Sequence, residues 1–333
     1  MLSIRPSIRR FHPVLLFLLI TLTACAVGAS DLADQHLNGK VKTVKTESIQ
    51  FRPDRQEYVA SSYEITLNPE GYIVEEATYG PNGALRSRTT DEREGDRVLS
   101  TTKWNSRNEP VNITTYKYAP DGHVGEVTTT GEDGALEERA ENTVRANGSG
   151  ELRTFGPDGI LKSVKTYIRS EDGKTTTSET TENGKVVARE ESRLGRDRKT
   201  ESRNYRELDN SKIIREFNRG SDHIVVISEL QQDGSRISTV TVTNPKGMIT
   251  EDSTERIYPD GKISSSKSLH KYDRHGDETE LAVKFDNGKC ISRTKRLYAH
   301  DPQGNWTKRE DWSEGCGMKP QLSFVQRRII TYY

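Results

Sequence analysis

One short turn recurs along this 333-residue chain and restricts what the chain can fold into. In its clearest copy, residues 116–122, a Tyr-Lys-Tyr run meets Ala-Pro-Asp-Gly before a new extended run begins. Pro presets φ for the first corner of a type I turn, and Asp can bond its own backbone. Gly supplies the positive φ that closes a hairpin through a G1 bulge. The Pro-Asp-Gly triplet occurs again at residues 157–159 and 259–261, so the sequence predicts repeated antiparallel hairpins.

The turn glycines also stand at a nearly constant spacing. Gly71, Gly83 and Gly95 are 12 residues apart, and similar intervals follow along most of the chain. Subtracting the turns leaves strands of roughly 8 to 10 residues. Asn108 stands where a glycine is expected, and Asn tolerates the left-handed region. The pattern predicts an all-β fold: a long curled antiparallel β-meander built from hairpin repeats, after an N-terminal signal peptide.

Composition limits the core and the partners of such a sheet. Hydrophobic residues make up 31% of the chain and charged residues 30%, which leaves few side chains for a core. The segment 223–228 has four successive apolar residues, at 224–227, so both of its faces are apolar and it predicts a strand covered on both sides. Lys and Arg together number 50, as do Asp and Glu, so no net charge favours a nucleic acid partner.

The N-terminus has the parts of an export signal. Arg5, Arg9 and Arg10 form a basic region, and the apolar run at 14–20 is short for a membrane span of about 20 residues. The next segment, Leu-Thr-Ala-Cys at 22–25, resembles the lipobox of bacterial lipoproteins. An uncleaved membrane anchor and a plain secretory peptide are the alternatives.

The lipobox resemblance implies cleavage before Cys25 and attachment of diacylglycerol to that residue. The predicted organisation is a signal peptide at 1–24, a lipidated tether at 25–40 and a β-sheet domain at 41–333. Ala26, rather than Asp, follows the cysteine, and by resemblance this favours the outer membrane. The expected location is therefore the cell outer membrane, on its periplasmic or its surface-exposed side, with the lipid anchor as the contact to the membrane.

Three segments with tyrosine before the turn carry a second resemblance. They are residues 116–122, residues 271–276 (Lys-Tyr-Asp-Arg-His-Gly) and residues 297–306. This pattern resembles the YD (RHS) repeat family over about residues 63–333, although many copies here lack the Tyr-Asp pair. Long members of that family build shells around toxins, and a chain this short is not expected to enclose such cargo.

Few residues suggest a metal-binding, catalytic or ligand-binding site. His270, Asp273, His275 and Asp277 crowd one segment with donors that suit Zn²⁺ or Mn²⁺. Their spacing matches no metal signature, so neither a metal nor another cofactor is assigned, and metal binding by this segment stays open. There is no nucleophile elbow or phosphate loop, so no catalytic residue is predicted. The candidate ligand contacts are tryptophans that could stack on sugars or pack against turns: Trp104, Trp306 and Trp312.

Two cysteines remain once Cys25 is lipidated. Cys290 precedes and Cys316 follows a hairpin that turns near Gly304. An even number of thiols in an oxidising compartment favours a disulfide. If strands 289–298 and 306–313 pair, the two cysteines come together; two unpaired thiols are the alternative.

These features predict an outer-membrane-anchored envelope lipoprotein with a structural or binding role and no catalysis. A carbohydrate- or peptidoglycan-binding module is the first alternative, and an envelope hydrolase is the second. The expected partners are the membrane, through the lipid anchor, and an envelope protein or glycan.

Overall fold

The chain forms one closed antiparallel sheet. A computed structural model describes residues 37–51, 56–194, 201–208, 211–285, 290–315 and 318–333. Within these ranges the sheet has 22 strands, each pairing with the strand before it and the strand after it. The first strand also pairs with the last, so the meander closes into a barrel. The predicted β-meander of hairpins is confirmed, and its closure goes beyond the expected curl.

The strands are β1 Val41–Phe51, β2 Glu57–Leu67, β3 Ile73–Tyr79, β4 Leu85–Glu94, β5 Arg97–Trp104, β6 Pro110–Tyr118, β7 Val124–Gly131, β8 Leu136–Val144, β9 Gly150–Phe155, β10 Leu161–Arg169, β11 Thr175–Glu182, β12 Lys185–Leu194, β13 Glu201–Glu207, β14 Lys212–Arg219, β15 Asp222–Leu230, β16 Arg236–Thr243, β17 Ile249–Ile257, β18 Ile263–Tyr272, β19 Glu278–Phe285, β20 Cys290–His300, β21 Trp306–Gly315 and β22 Gln321–Tyr332. None of the described residues belongs to a helix long and apolar enough to cross a membrane.

The turns have the geometry that their sequence predicts. The amide of Gly122 donates to the carbonyl of Ala119 at 2.9 Å, and the Ala119 amide donates to the carbonyl of His123 at 2.8 Å. This is a type I turn closed by a G1 bulge, and Gly122 has a φ of 92°. Asn108, with a φ of 60°, takes the glycine position in its own turn, as expected.

The register sorts the strand residues into two faces, because cross-strand partners lie on the same side of a sheet. Val44 of β1 pairs with Ile65 of β2 and with Ile330 of β22. When cross-strand partners are traced from β1 through all the strands to β22, the trace ends on the same face of β1 on which it began. We call it the inner face and the opposite one the outer face, because the inner face lines a cavity described below.

Several charged side chains differ in exposure between the two faces. On the inner face, charged side chains that are only 10–14% exposed include Asp311, Arg296 and Glu190. On the outer face, charged side chains that are 64–73% exposed include Lys117, Arg189 and Lys271. Each of these three pairs with a carboxylate across the strands, at 2.5 to 3.2 Å. The cations of these outer-face ion pairs are solvated, so the pairs contribute little stability.

The main apolar cluster lies at the seam where β1 meets β2 and β22. It comprises Leu37, Val41, Val44, Ile65 and Leu67, against which Ile73, Ile330 and Tyr332 pack. The segment before β1 is held there by Asn305, which is 1% exposed. Its side chain accepts the Asn38 amide proton at 2.6 Å and donates to the Asn38 carbonyl at 2.9 Å. Residues 37–40, at the end of the predicted tether, thus pack against the sheet.

One prediction about an individual strand is wrong. Residues 223–228 of β15 were expected to be covered on both faces, but only Ile224 is buried, while Val225, Val226 and Ile227 are partly exposed. In a closed sheet every strand has two neighbours, and no further layer of the described chain covers β15. Successive apolar residues here therefore do not mark a central strand.

The strand pairing behind the predicted disulfide is confirmed. β20 and β21 pair through the turn at Gly304, and Ser292 lies opposite Gly315. Cys290 begins β20, but Cys316 lies outside the described residues. The bond between Cys290 and Cys316 therefore stays a prediction. Cys25, the signal peptide and most of the tether also lie outside the described residues.

Candidate ligand-binding cavity on the inner face

A cavity of about 520 Å³ opens on the inner face beside the seam. It is bounded by β1, β2, β3, β21 and β22 and by Arg86, the second residue of β4. Ser and Thr hydroxyls of β1, β2 and β3 form much of its wall. Its aromatic and cationic side chains are Tyr63, Tyr79, Trp306, Arg86, Arg309 and Arg328. The wall offers hydrogen-bonding groups, aromatic surface and positive charge together.

Arg328 and Trp306 form the most tightly packed part of the wall. The guanidinium of Arg328 lies 3.7 Å from the centre of the Trp306 ring. Tyr298 meets the same indole edge-on at 6.1 Å. The Nε atom of Arg328 is buried and has no hydrogen-bond partner among the described residues. Burial lowers the pKa of Arg328 to about 10, although the nearby Asp277 carboxylate opposes this change.

The other two arginines differ in how their charge is matched. Arg309 donates twice to Asp311, at 2.8 and 3.0 Å, in a bidentate pair. Arg86 sits at the exposed start of β4, and within the described part of the chain no carboxylate pairs with it or with Arg328. The cavity therefore has two guanidinium groups without a carboxylate partner.

Tyr63 contributes an aromatic ring and a hydroxyl to the wall. Its hydroxyl donates to a carboxylate oxygen of Glu76 at 2.5 Å. Burial, together with this hydrogen bond, raises the pKa of Tyr63 above its ordinary value. The phenol therefore stays neutral at physiological pH, and Tyr63 remains 37% exposed.

A second cluster lies at the rim, between two neighbouring turns. Carboxylate and imidazole atoms of Asp273, Asp277 and His300 lie within 4.8 Å of one another. His300 Nε2 lies 2.8 Å from Asp277, and its ring stacks on His275 with centroids 4.5 Å apart. Asp273 Oδ1 accepts the backbone amides of His275 and Asp277, at 2.8 and 3.0 Å, which stabilises the turn.

This rim cluster differs from the segment that the sequence suggested. His270 is not part of it, because its ring nitrogens lie 2.6 Å from Asp252 and 2.7 Å from Glu278. His300 belongs to the next hairpin, so spacing along the chain does not reveal it. The donor types could hold a divalent cation. The hydrogen bonds of the turn and of His300 nevertheless account for the arrangement by themselves.

The structure does not bring the three tryptophans together. Trp306 lines the cavity. Trp104 is on the outer face, where its Nε1 donates to Thr90 at 3.0 Å and Arg88 stacks on its ring. Trp312 is also on the outer face, with its Nε1 3.3 Å from Glu310. Arginines 86 and 328 were missed, because an arginine in a polar strand carries no local mark of a binding site.

Comparison with known proteins assigns no family. No family model matches the chain, and no curated protein matches it. Solved structures with some likeness include porin-like proteins from Bacteroides vulgatus ATCC 8482 and Bacteroides uniformis ATCC 8492. Both are 11% identical, with TM-scores of 0.28 and 0.25, and each alignment covers 88% of this chain and 98% of the other.

A third structure, TcdB2-TccC3-TEV, is 12% identical, with a TM-score of 0.16. That alignment covers 88% of this chain and 19% of the other. Likenesses this slight support no functional argument, so membership of the YD-repeat family stays a prediction.

Proposed function

We propose that this protein is a non-catalytic, lipid-anchored protein of the bacterial envelope that binds a glycan in its inner-face cavity. The observation that carries the proposal is the cavity itself, with its hydroxyl-rich wall and its aromatic side chains. Its volume of about 520 Å³ is within the range common for small-ligand sites.

The wall suits a sugar better than an apolar ligand. Ser and Thr hydroxyls both donate and accept hydrogen bonds, as sugar hydroxyls require. Trp306 is covered on one side by Arg328, which leaves Tyr63 as the more accessible aromatic surface. A sugar ring lying against Tyr63 would be within reach of the hydroxyls of Ser61 and Thr78, which line the same cavity.

A binding experiment with the mature, detergent-solubilised protein tests this function. The protein is incubated with purified peptidoglycan sacculi and with a glycan array, and we expect specific retention by at least one of them. Tyr63→Ala should weaken that retention about tenfold, or about 1.4 kcal/mol. Tyr258→Ala is the matched control, because Tyr258 is equally exposed, at 37%, but lies at a distant turn. Absence of any specific retention by the unsubstituted protein would contradict glycan binding and favour a purely structural role.

The anchor is a separate part of the proposal. Attachment to the membrane is assigned to a lipid on Cys25, because residues 22–25 resemble a lipobox. Cys25→Ala is expected to abolish palmitate labelling and to leave an uncleaved precursor or a soluble protein. Fractionation of cells labelled with palmitate measures both effects. Ser30→Ala, five residues further along, should leave labelling unchanged. Labelling that persists in Cys25→Ala would refute the anchor.

A further inference from the structure

The charged residues that line the cavity are all positive. Arg86, Arg309 and Arg328 line it, and no Asp or Glu is among its lining residues. Three carboxylates interact with its lining residues, and each of them has a hydrogen-bond or ion-pair partner. Asp311 holds Arg309, Asp277 lies 2.8 Å from His300, and Glu76 accepts the Tyr63 hydroxyl. The cavity therefore presents positive charge to whatever enters it.

Stacking on a tryptophan does not by itself distinguish Arg328 as a ligand-binding residue. Arg88 stacks in the same way on Trp104, 4.5 Å from the ring centre, and its Nε is also buried without a partner. Arg88, however, lies on the outer face. Arg328 lies in a cavity with two more arginines, and burial there lowers its pKa. A guanidinium that stacks through its face keeps the donors along its edge available for a ligand.

An oxyanion would supply hydrogen-bond acceptors for the guanidinium groups of this cavity. Guanidinium donors match the planar geometry of carboxylate and phosphate oxygens and bind them in pairs. The nearby Asp277 carboxylate offsets part of the cost of burying Arg328, and an anion in the cavity would offset more of it. Arg86, at the exposed start of β4, could approach the same group from the mouth of the cavity.

We infer that the glycan bound in the cavity is acidic, with an oxyanion held by Arg328 and Arg86. This inference rests on the proposed function, since it specifies the ligand class of the same cavity. Carboxylate and phosphate groups share the required chemistry, and the experiment separates them.

The test is calorimetric titration of the mature, detergent-solubilised protein with two matched pairs of probes. Tetragalacturonic acid is compared with its methyl ester, and mannose 6-phosphate is compared with mannose. At least one acidic probe should bind about tenfold or more tightly than its neutral partner, as expected for charge-assisted hydrogen bonds. The pair that shows the preference identifies carboxylate or phosphate as the recognised group.

Three variants show which arginines cause the preference for the acidic probe. Arg328→Gln should abolish the preference for the acidic probe, and Arg86→Gln, which changes an exposed residue, should reduce it several-fold. Arg88→Gln removes the stacked arginine of the outer face and should leave the preference intact. Thermal melts of all three variants identify any loss of fold, and Arg86→Gln remains informative if Arg328→Gln unfolds.

The outcomes separate this inference from the function on which it rests. Equal binding of acidic and neutral probes, with sensitivity to Tyr63→Ala, would overturn the inference and leave glycan binding standing. A preference that survives both Arg328→Gln and Arg86→Gln would also overturn it. Failure of every probe, of sacculi and of the glycan array would remove the proposed function itself.

Discussion

Ile330→Asp is expected to destabilise the protein by about 3 to 4 kcal/mol. Ile330 pairs with Val44 across the closing strands and packs against the main apolar cluster. An aspartate there would place a charge without a partner among apolar side chains and weaken the contact between β1 and β22. Urea unfolding followed by tryptophan fluorescence measures the change in the free energy of unfolding.

The neighbouring residue gives a matched control. Ile329 is 52% exposed on the outer face of the same strand, so Ile329→Asp should cost less than about 1 kcal/mol. Deleting residues 321–333 removes β22 altogether and leaves β1 and β21 as unpaired edges. Such edges favour aggregation, and light scattering should detect oligomers. If Ile330→Asp and Ile329→Asp unfold at the same urea concentration, the seam is not the stabilising feature inferred here.

Gly150→Ala is expected to cost about 3 kcal/mol or more, because the first residue of β9 has no room for a side chain. A Cβ at this position would overlap the carbonyl oxygen of Thr143 and the hydroxyl of Tyr167. That hydroxyl donates to Asn142 at 3.1 Å and lies 3.3 Å from the Thr143 carbonyl, so it cannot move without losing these bonds. Differential scanning calorimetry should show a clear fall in the melting temperature.

Two further variants sharpen this test. Gly125→Ala is the control, because its Cβ would meet no atom closer than 3.7 Å, an ordinary van der Waals contact. It should change stability by less than about 1 kcal/mol. Tyr167→Phe combined with Gly150→Ala removes the hydroxyl and should restore a small part of the loss, while the overlaps with the Thr143 carbonyl and with the ring carbon Cζ of residue 167 remain. Equal melting temperatures for Gly150→Ala and Gly125→Ala would contradict the close packing at β9.

The sequence by itself determined the local structure of this protein. The type I turn with its G1 bulge depends on a few adjacent residues, and both Gly122 and Asn108 have the positive φ that their positions require. Strand lengths follow from the spacing of such turns, and a meander follows when each strand pairs with its neighbour in the chain. These features involve contacts over short sequence distances, where residue chemistry decides the conformation.

Only the tertiary structure decided where the sheet closes and where its cavity lies. The hydroxyls of Thr43 and Thr331, 288 positions apart, meet at 2.6 Å across the seam. That meeting depends on the accumulated twist and curvature of 22 strands. Both faces carry polar residues, so alternation within a strand does not reveal which face is inner. The convergence of Arg86, Trp306 and Arg328 in one cavity follows from closure, because closure places the first strands of the sheet beside its last strands.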